Sequence, residues 1–195
     1  MRALIVFFLL LSLSSCTTLQ IIHIGLQKKG DETSKEFNAY LKRHRIKYDY
    51  SLELIDSIAY LLKDSLYRLD NAVSTKYSLI QLRIYDAEGN LYSGYSQCTG
   101  DFNSRKILNG FPPAKSSYPF VNSNLKFKNE FDLISLSAEE KASIIKKAEN
   151  SNYVFVVYWN IWTRYLSRNV LREVSHLKKK YKEDVLVILV NVAKD

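Results

Sequence analysis

The sequence predicts an α/β domain built as a three-layer sandwich, in which helices flank a mixed four-stranded sheet. Two apolar runs rich in β-branched residues, 153–159 and 185–192, lack the alternation of half-exposed strands and fit parallel strands covered on both faces. An amphipathic stretch separates the two runs, so the three segments form a βαβ unit with an expected right-handed crossover. Farther upstream, turn residues separate two strand-like segments, which predicts an antiparallel hairpin.

The overall composition is that of a folded protein. Hydrophobic residues make up 47% of the 195 residues and charged residues 25%, which argues against disorder over most of the chain. The formal net charge is +8, with the basic residues spread along the sequence. No two of the three histidines share a metal-ligand spacing, so neither a metal nor another cofactor is expected.

The first fifteen residues form a segment of their own. Arg2 precedes the apolar run "ALIVFFLLLSL", which has the length of a signal-peptide core and is too short to span a bilayer. The run meets "LSSC", ending at Cys16, and together they resemble a bacterial lipoprotein signal with its lipobox. The resemblance implies cleavage before Cys16 and acylation of that cysteine, palmitate included. Because Thr17 follows, it also implies an outer-membrane anchor with the protein facing the periplasm. The alternative is an ordinary secretory signal cut near Ser15 or Thr17.

The mature chain is predicted to consist of a tether with one short element, residues 16–50, and one domain, residues 51–195. A docked helix is predicted to begin near Ser51 and to end near Asp70, because apolar residues recur there at intervals of three and four. They are Leu54, Ile55, Ile58, Leu61, Leu62, Leu66 and Leu69.

The hairpin is expected to follow that helix. Strands at 79–85 and 91–98 flank the turn sequence "DAEGN", in which Gly89 can adopt a positive φ without a steric penalty. Residues 99–134 carry proline, glycine and many small polar residues and are predicted to form an irregular loop. Such a loop is either functional or pinned to the domain by its aromatic residues. Those aromatic residues are Phe111, Tyr118, Phe120 and Phe127.

The last third of the chain supplies the βαβ unit. Ser137 and Glu140 have the spacing of a capping box, so a helix should begin there and run to about Asn150. The helix between the two apolar strands is indicated by one apolar stripe. Its members are Leu166, Val170, Val174, Leu177 and Tyr181. The predicted strand order is 185–192, 153–159, 79–85 and 91–98, with the last strand antiparallel to its neighbour.

Residues 153–195 resemble the first half of a thioredoxin fold, in which a buried strand ends in an aromatic residue, a tryptophan follows and a helix opens with a redox cysteine pair. In "FVVYWNIWTRYL", Trp162 matches the tryptophan, whereas Thr163 and Leu166 stand at the cysteine positions. Upstream, "AVSTKYSLIQLRIYDAEGNLYSGY" resembles the family's cis-proline, strand, turn and strand, with Ser74 at the proline position. The resemblance therefore implies a circularly permuted domain without thiol-disulfide chemistry, since that chemistry needs both sulfurs. The other reading is a generic α/β sandwich whose tryptophans only pack.

The first functional hypothesis is a lipid-anchored, non-catalytic protein that binds or scaffolds an envelope protein. Its binding groove is the ancestral substrate groove of the resembled fold. The predicted groove residues are Trp162, Thr163, Arg164, Tyr165 and Ser74.

Two further hypotheses remain open at this stage. One is an envelope enzyme that uses Cys98 as a nucleophile, or Asp86 and Asp101 as carboxylates, although the sequence places no base beside them. Because no lowering of the Cys98 pKa is indicated, a packed thiol is the simpler interpretation. The other is a basic protein that binds anionic polysaccharide or lipid through residues 178–180 and Lys126. Nucleic acid is not expected as a partner in the envelope.

Overall fold

The computed structural model of the chain describes residues 34–55, 80–96, 112–113, 125–132, 134, 136–161 and 163–193. Helices and strands alternate along much of these ranges. In chain order the elements are α1 (Ser34–Arg43), β1 (Tyr50–Ile55), β2 (Gln81–Asp86), β3 (Leu91–Ser96), α2 (Phe127–Asp132), α3 (Ala138–Glu149), β4 (Tyr153–Trp159), α4 (Arg164–Tyr181), a 3-10 turn (Lys182–Asp184) and β5 (Val185–Ala193).

The five strands form one mixed sheet in the order β1-β5-β4-β2-β3. Strands β4 and β5 are parallel, as the βαβ pattern predicts, and their register pairs Tyr153 with Val185 and Trp159 with Asn191. Strand β2 runs antiparallel both to β4 and to β3. The predicted order of four strands is therefore confirmed, whereas the predicted number is wrong, because β1 adds a fifth strand beside β5.

Strand β1 corrects the predicted helix that was to begin near Ser51. Residues Tyr50–Ile55 form a strand that pairs in parallel with β5. Within it Leu52 and Leu54 are partly or fully buried, whereas Ser51 and Glu53 are exposed, which is the two-residue period of an edge strand covered on one face. The remainder of the predicted helix, 56–70, lies outside the described residues.

Helices cover both faces of the sheet. Helices α1 and α4 pack on one side, here called the α4 face, and α2 and α3 pack on the other, the α3 face. The alternation along each inner strand divides its side chains between two apolar clusters, so the sheet is buried on both sides. On the α4 face the strands contribute Leu82, Ile84, Phe155, Val157, Trp159, Val185, Val187 and Leu189, and Ile80, just before β2, joins them. On the α3 face they contribute Leu54, Tyr85, Leu91, Val154, Val156, Tyr158, Leu186, Ile188 and Val190.

Two local sequence signals are confirmed. Ser137 and Glu140 form a reciprocal capping box at the start of α3. In the β2–β3 turn, Gly89 has φ +73° and its N–H donates to the carbonyl of Asp86 at 2.9 Å. A positive φ at this position is strained for residues with a Cβ, so glycine suits the turn.

The segment predicted as an irregular loop, 99–134, contains the short helix α2. Phe127 is 5% exposed and its ring lies 5.5 Å from that of Tyr85 on β2, which agrees with a pinning role for Phe127. Phe111, Tyr118 and Phe120 lie outside the described residues.

Candidate functional site at the carboxyl ends of the parallel strands

Buried polar side chains concentrate at one edge of the sheet. Because β1, β5 and β4 are mutually parallel, their carboxyl ends meet there, and antiparallel β2 begins at the same edge. Loops that leave this edge are the usual position of binding sites in α/β proteins. The carboxyl edge is defined here by Trp159, Asn160, Thr163, Ser167 and Asn191, all at most 2% exposed.

A compact hydrogen-bond network joins the end of β4 to the first turn of α4. The Thr163 N–H donates to Asn160 Oδ1 at 3.0 Å, and the Ser167 hydroxyl donates to the Asn160 carbonyl at 2.8 Å. The hydroxyls of Thr163 and Ser167 lie 2.7 Å apart. Since these hydroxyls bond to the strand end and to each other, they position α4 on the sheet.

The N-terminus of α4 carries no compensating negative charge from its own residues. The Thr163 side chain makes no capping bond to the helix, and the first turn contains no acidic residue. The partial positive charge of a helix N-terminus attracts anions. The first turn of α4 is therefore an electropositive end directly beside the network at Asn160.

Two buried polar groups at this edge have no hydrogen-bond partner. Asn191 is 0% exposed and both atoms of its amide are unpaired, and the indole Nε1 of the fully buried Trp159 is unpaired as well. The two residues are register partners on adjacent strands. Alternation from Val187 and Leu189, which pack on the α4 face, places the Asn191 side chain on that face beside Trp159.

A chain of aromatic contacts connects Trp159 to a cationic region. The Tyr40 ring of α1 lies 5.5 Å from that of Trp159 and 4.4 Å from that of His44. Partial burial lowers the pKa of His44, and the positive charges of Arg168, Arg43 and Arg172 lower it further. The α4 face is thus bordered by positive charge near Trp159.

On the opposite face, the same edge carries a buried charged cluster. Arg83 donates from Nη1 to Glu130 Oε1 and from Nη2 to Gln81 Oε1, the latter at 2.7 Å. The Tyr158 hydroxyl donates to the same Glu130 oxygen, and the Arg83 guanidinium lies 5.0 Å from the centre of the Tyr158 ring. Burial raises the pKa of Glu130, while Arg83 and Tyr158 act in the opposite direction. This cluster fastens α2 to β2 and β4.

Of the predicted groove residues, the structure describes the side chain of Thr163 alone. It is buried within the network, so it does not line an open groove. Arg164 and Tyr165 begin α4. Trp162 and Ser74 lie outside the described residues, as do Cys16 and Cys98.

The basic segments chosen from the sequence are only partly available to a ligand. Lys178 bonds internally, with Nζ 2.9 Å from a carboxylate oxygen of Asp49, and its side chain is 13% exposed. Lys126 donates to the side chain of Asn90. Lys179 and Lys180 are exposed on the last turn of α4.

Sequence reasoning missed Asn160, Ser167 and Asn191 at this edge and the Arg83–Glu130 pair. A polar residue inside an otherwise apolar strand is a usable signal, and both Asn191 in "VLVILVNV" and Arg83 in "LIQLRIYD" have it. Neither Asn160 nor Ser167 carries such a signal, because their roles depend on the contact between a strand end and the helix.

Comparison of the chain with protein-family models, with curated proteins and with solved structures found no match. In the part of the chain that the structure describes, no helix is long and apolar enough to cross a membrane. Within the same ranges, no group of three or more histidine, cysteine, aspartate or glutamate residues is placed to hold a metal ion.

Proposed function

We propose that the protein is a lipid-anchored envelope lipoprotein whose thioredoxin-like domain binds a protein partner without catalysis. The anchor is supported by the signal-like first fifteen residues and the lipobox ending at Cys16. The partner binds at the carboxyl edge. The observation that carries this proposal is the pair of unpartnered buried groups at that edge, the Asn191 amide and the Trp159 indole N–H.

The thioredoxin-like assignment is supported by strand order and direction. Parallel β4 and β5 flank the crossover helix α4, and the β2–β3 hairpin lies antiparallel beside β4, as expected for a permuted form of that fold. Helix α3 leads directly into β4, in the position that the permutation assigns to the closing helix.

A binding role without catalysis is supported by the hydrogen bonds of Thr163 at the start of α4. In the resemblance this residue stands where the first redox cysteine would be, and its hydroxyl bonds to that of Ser167, which in turn donates to the Asn160 carbonyl. Leu166 stands at the second cysteine position. The helix start therefore stabilises the fold, while its electropositive end can attract a ligand.

Capture of partners from solubilised envelopes tests the proposal. The full-length chain, tagged at its C-terminus, is compared with Trp162→Ala and Arg164→Ala, which change the helix start, and with Lys179→Ala as a matched control on the last turn of α4. We expect a defined set of proteins that the wild type and the Lys179 variant retain and that both helix-start variants lose. Recovery of the same proteins by all four chains would refute binding at this edge.

A further inference from the structure

We propose that the carboxyl edge recognises a peptide segment that bears a carboxylate, with the Asn191 amide pairing to the peptide backbone and the Trp159 indole and the N-terminus of α4 facing the carboxylate. This inference deepens the proposed function and rests on it. It specifies the chemistry of the partner, and it adds Trp159 and Asn191, which the predicted groove did not include, to the start of α4.

The hydrogen-bonding capacity of the unpaired groups selects this ligand. An asparagine amide offers one acceptor oxygen and two N–H donors, the complement of a peptide group, and an indole N–H offers a donor only. A purely anionic ligand would leave Asn191 Oδ1 without a partner, and a neutral peptide would leave the electropositive helix end unused. A backbone segment with an adjacent carboxylate supplies partners for the Asn191 amide and places a negative charge at the N-terminus of α4.

The charge around the edge favours the same ligand. The first turn of α4 has no acid, and Arg168 and Arg172 lie farther along the same helix, near His44 and Tyr40. A carboxylate at the helix N-terminus would therefore meet the helix dipole and nearby cationic side chains together.

Burial of the two groups determines how binding occurs. Asn191 and Trp159 are 0% exposed in the free protein, so the peptide reaches them only after the edge opens locally. A buried polar group without a partner destabilises the closed state, and a ligand that supplies the partner removes that penalty. The free domain should therefore gain stability when the unused amide is removed, and lose binding at the same time.

The test combines thermal unfolding with peptide binding, using the full-length lipidated chain in detergent. The variant is Asn191→Leu, which replaces the amide by an apolar group of similar size. Asn152→Leu is the matched control, because Asn152 is exposed at the opposite end of the sheet and bonds to Asp184 at 3.0 Å. Three alanine-based probes are titrated by calorimetry: one with a free C-terminal carboxylate, one amidated, and one amidated with an internal glutamate.

We expect Asn191→Leu to raise the Tm by about 2–4 °C, the shift that follows from removing one unsatisfied buried group in a domain of this size. We expect it to weaken binding of the carboxylate-bearing probes by roughly tenfold, while the fully amidated probe binds neither protein. The two carboxylate probes distinguish a peptide C-terminus from an acidic side chain as the source of the charge.

A lower Tm for Asn191→Leu would overturn the inference, because it would show that the amide is satisfied in solution. Equal binding of a carboxylate probe by wild type and variant would overturn it too, as would binding of no probe by the wild type. Each of these results is separate from failure of the proposed function, which is measured by partner capture with the Trp162 and Arg164 variants.

Discussion

At the scale of single residues, the Arg83–Glu130 pair is an ion pair inside the described core. Both side chains are 0% exposed, and Glu130 Oε2 and Arg83 Nε have no partner. Desolvation of two charges offsets most of their attraction, so such a pair adds little net stability, yet loss of one partner leaves an uncompensated buried charge.

Replacement of Glu130 by alanine should therefore lower the free energy of unfolding by about 3–5 kcal/mol. The double variant Arg83→Met, Glu130→Leu should recover most of this loss, because two apolar side chains of similar volume need no counter-charge. Urea unfolding of the wild type, the single variant and the double variant measures both effects. A double variant less stable than the single one would contradict the expectation.

Asp49 is a second buried charge, at the opposite end of the sheet. Its side chain is 7% exposed and lies 2.8 Å from Lys147 Nζ and 2.9 Å from Lys178 Nζ. It also accepts the Val187 N–H at 2.9 Å. Burial favours the protonated carboxyl, but these hydrogen bonds and the charge of Lys178 outweigh it and hold the pKa of Asp49 below its ordinary value.

The sign of this shift predicts a pH dependence for Asp49→Asn. The stabilising contribution of Asp49 is complete above its unfolded pKa of 3.8 and is lost as the pH falls through the lower folded value. At neutral pH the variant should be less stable by roughly 2 kcal/mol, the loss expected for hydrogen bonds to a charged group. Unfolding free energies of both proteins, followed from neutral pH to about pH 2, should converge at the acidic end. A difference that stays constant with pH would rule out this account.

At the scale of helices and strands, the start of α3 is determined by hydrogen bonds between residues close in sequence. The Ser137 hydroxyl accepts the Glu140 N–H at 3.2 Å, and the Glu140 carboxylate accepts the Ser137 N–H at 3.2 Å. Both donors would otherwise have no partner within the helix. This explains why α3 begins where the sequence predicts.

Ser137→Ala should lower the free energy of unfolding by about 1 kcal/mol, the usual cost of a lost N-cap. Lys146→Ala, on the exposed side of the same helix, is the control and should change stability little. Chemical denaturation of the two variants beside the wild type measures the difference. Equal effects of the two substitutions would mean that the cap contributes nothing.

Elements that depend on short-range interactions could be predicted from the sequence, whereas a strand that depends on long-range pairing could not. The hairpin turn, the capping box and the βαβ unit depend on neighbouring residues or on long apolar runs, and all three are confirmed. Strand β1 depends on pairing with β5, more than 130 residues away, while Leu54 and Ile55 also fit the helical spacing of the residues that follow. The two-residue alternation in "YSLELI" is short, and the helical spacing that follows it is longer. The sequence therefore predicted a helix where the structure has a strand.

The carboxyl edge could be predicted only in outline, for the same reason. The sequence predicted Thr163 and the start of α4 to line a groove, and the structure places the Thr163 side chain in the buried network at this edge. It did not identify Asn191 as a neighbour of Trp159, because that contact depends on the register of two parallel strands. A polar residue in a buried strand can be recognised from sequence, whereas its register partner cannot.

At the scale of the whole molecule, the lipid anchor at Cys16 is a prediction that can be tested by itself. The lipobox implies several acyl chains on Cys16, and more than one chain is needed to anchor a protein stably. The wild type should therefore incorporate labelled palmitate and fractionate with membranes. Cys16→Ser should incorporate none. Cys98→Ser is the matched control, since it removes the other cysteine and should label like the wild type. Palmitate incorporation by the Cys16 variant would exclude the lipobox.

Strand β5 lies between β1 and β4 although it follows both of them in the chain. During synthesis the ribosome completes β1 and β4 before Val185 emerges, so the sheet cannot close until β5 has been made. A chain cut short by a premature stop before Val185 would leave β1 without its described partner and would expose one edge of β4. Exposed strand edges are templates for aggregation. Truncated products should therefore be targets for proteolysis, and β5 must be translated before a stable domain can exist.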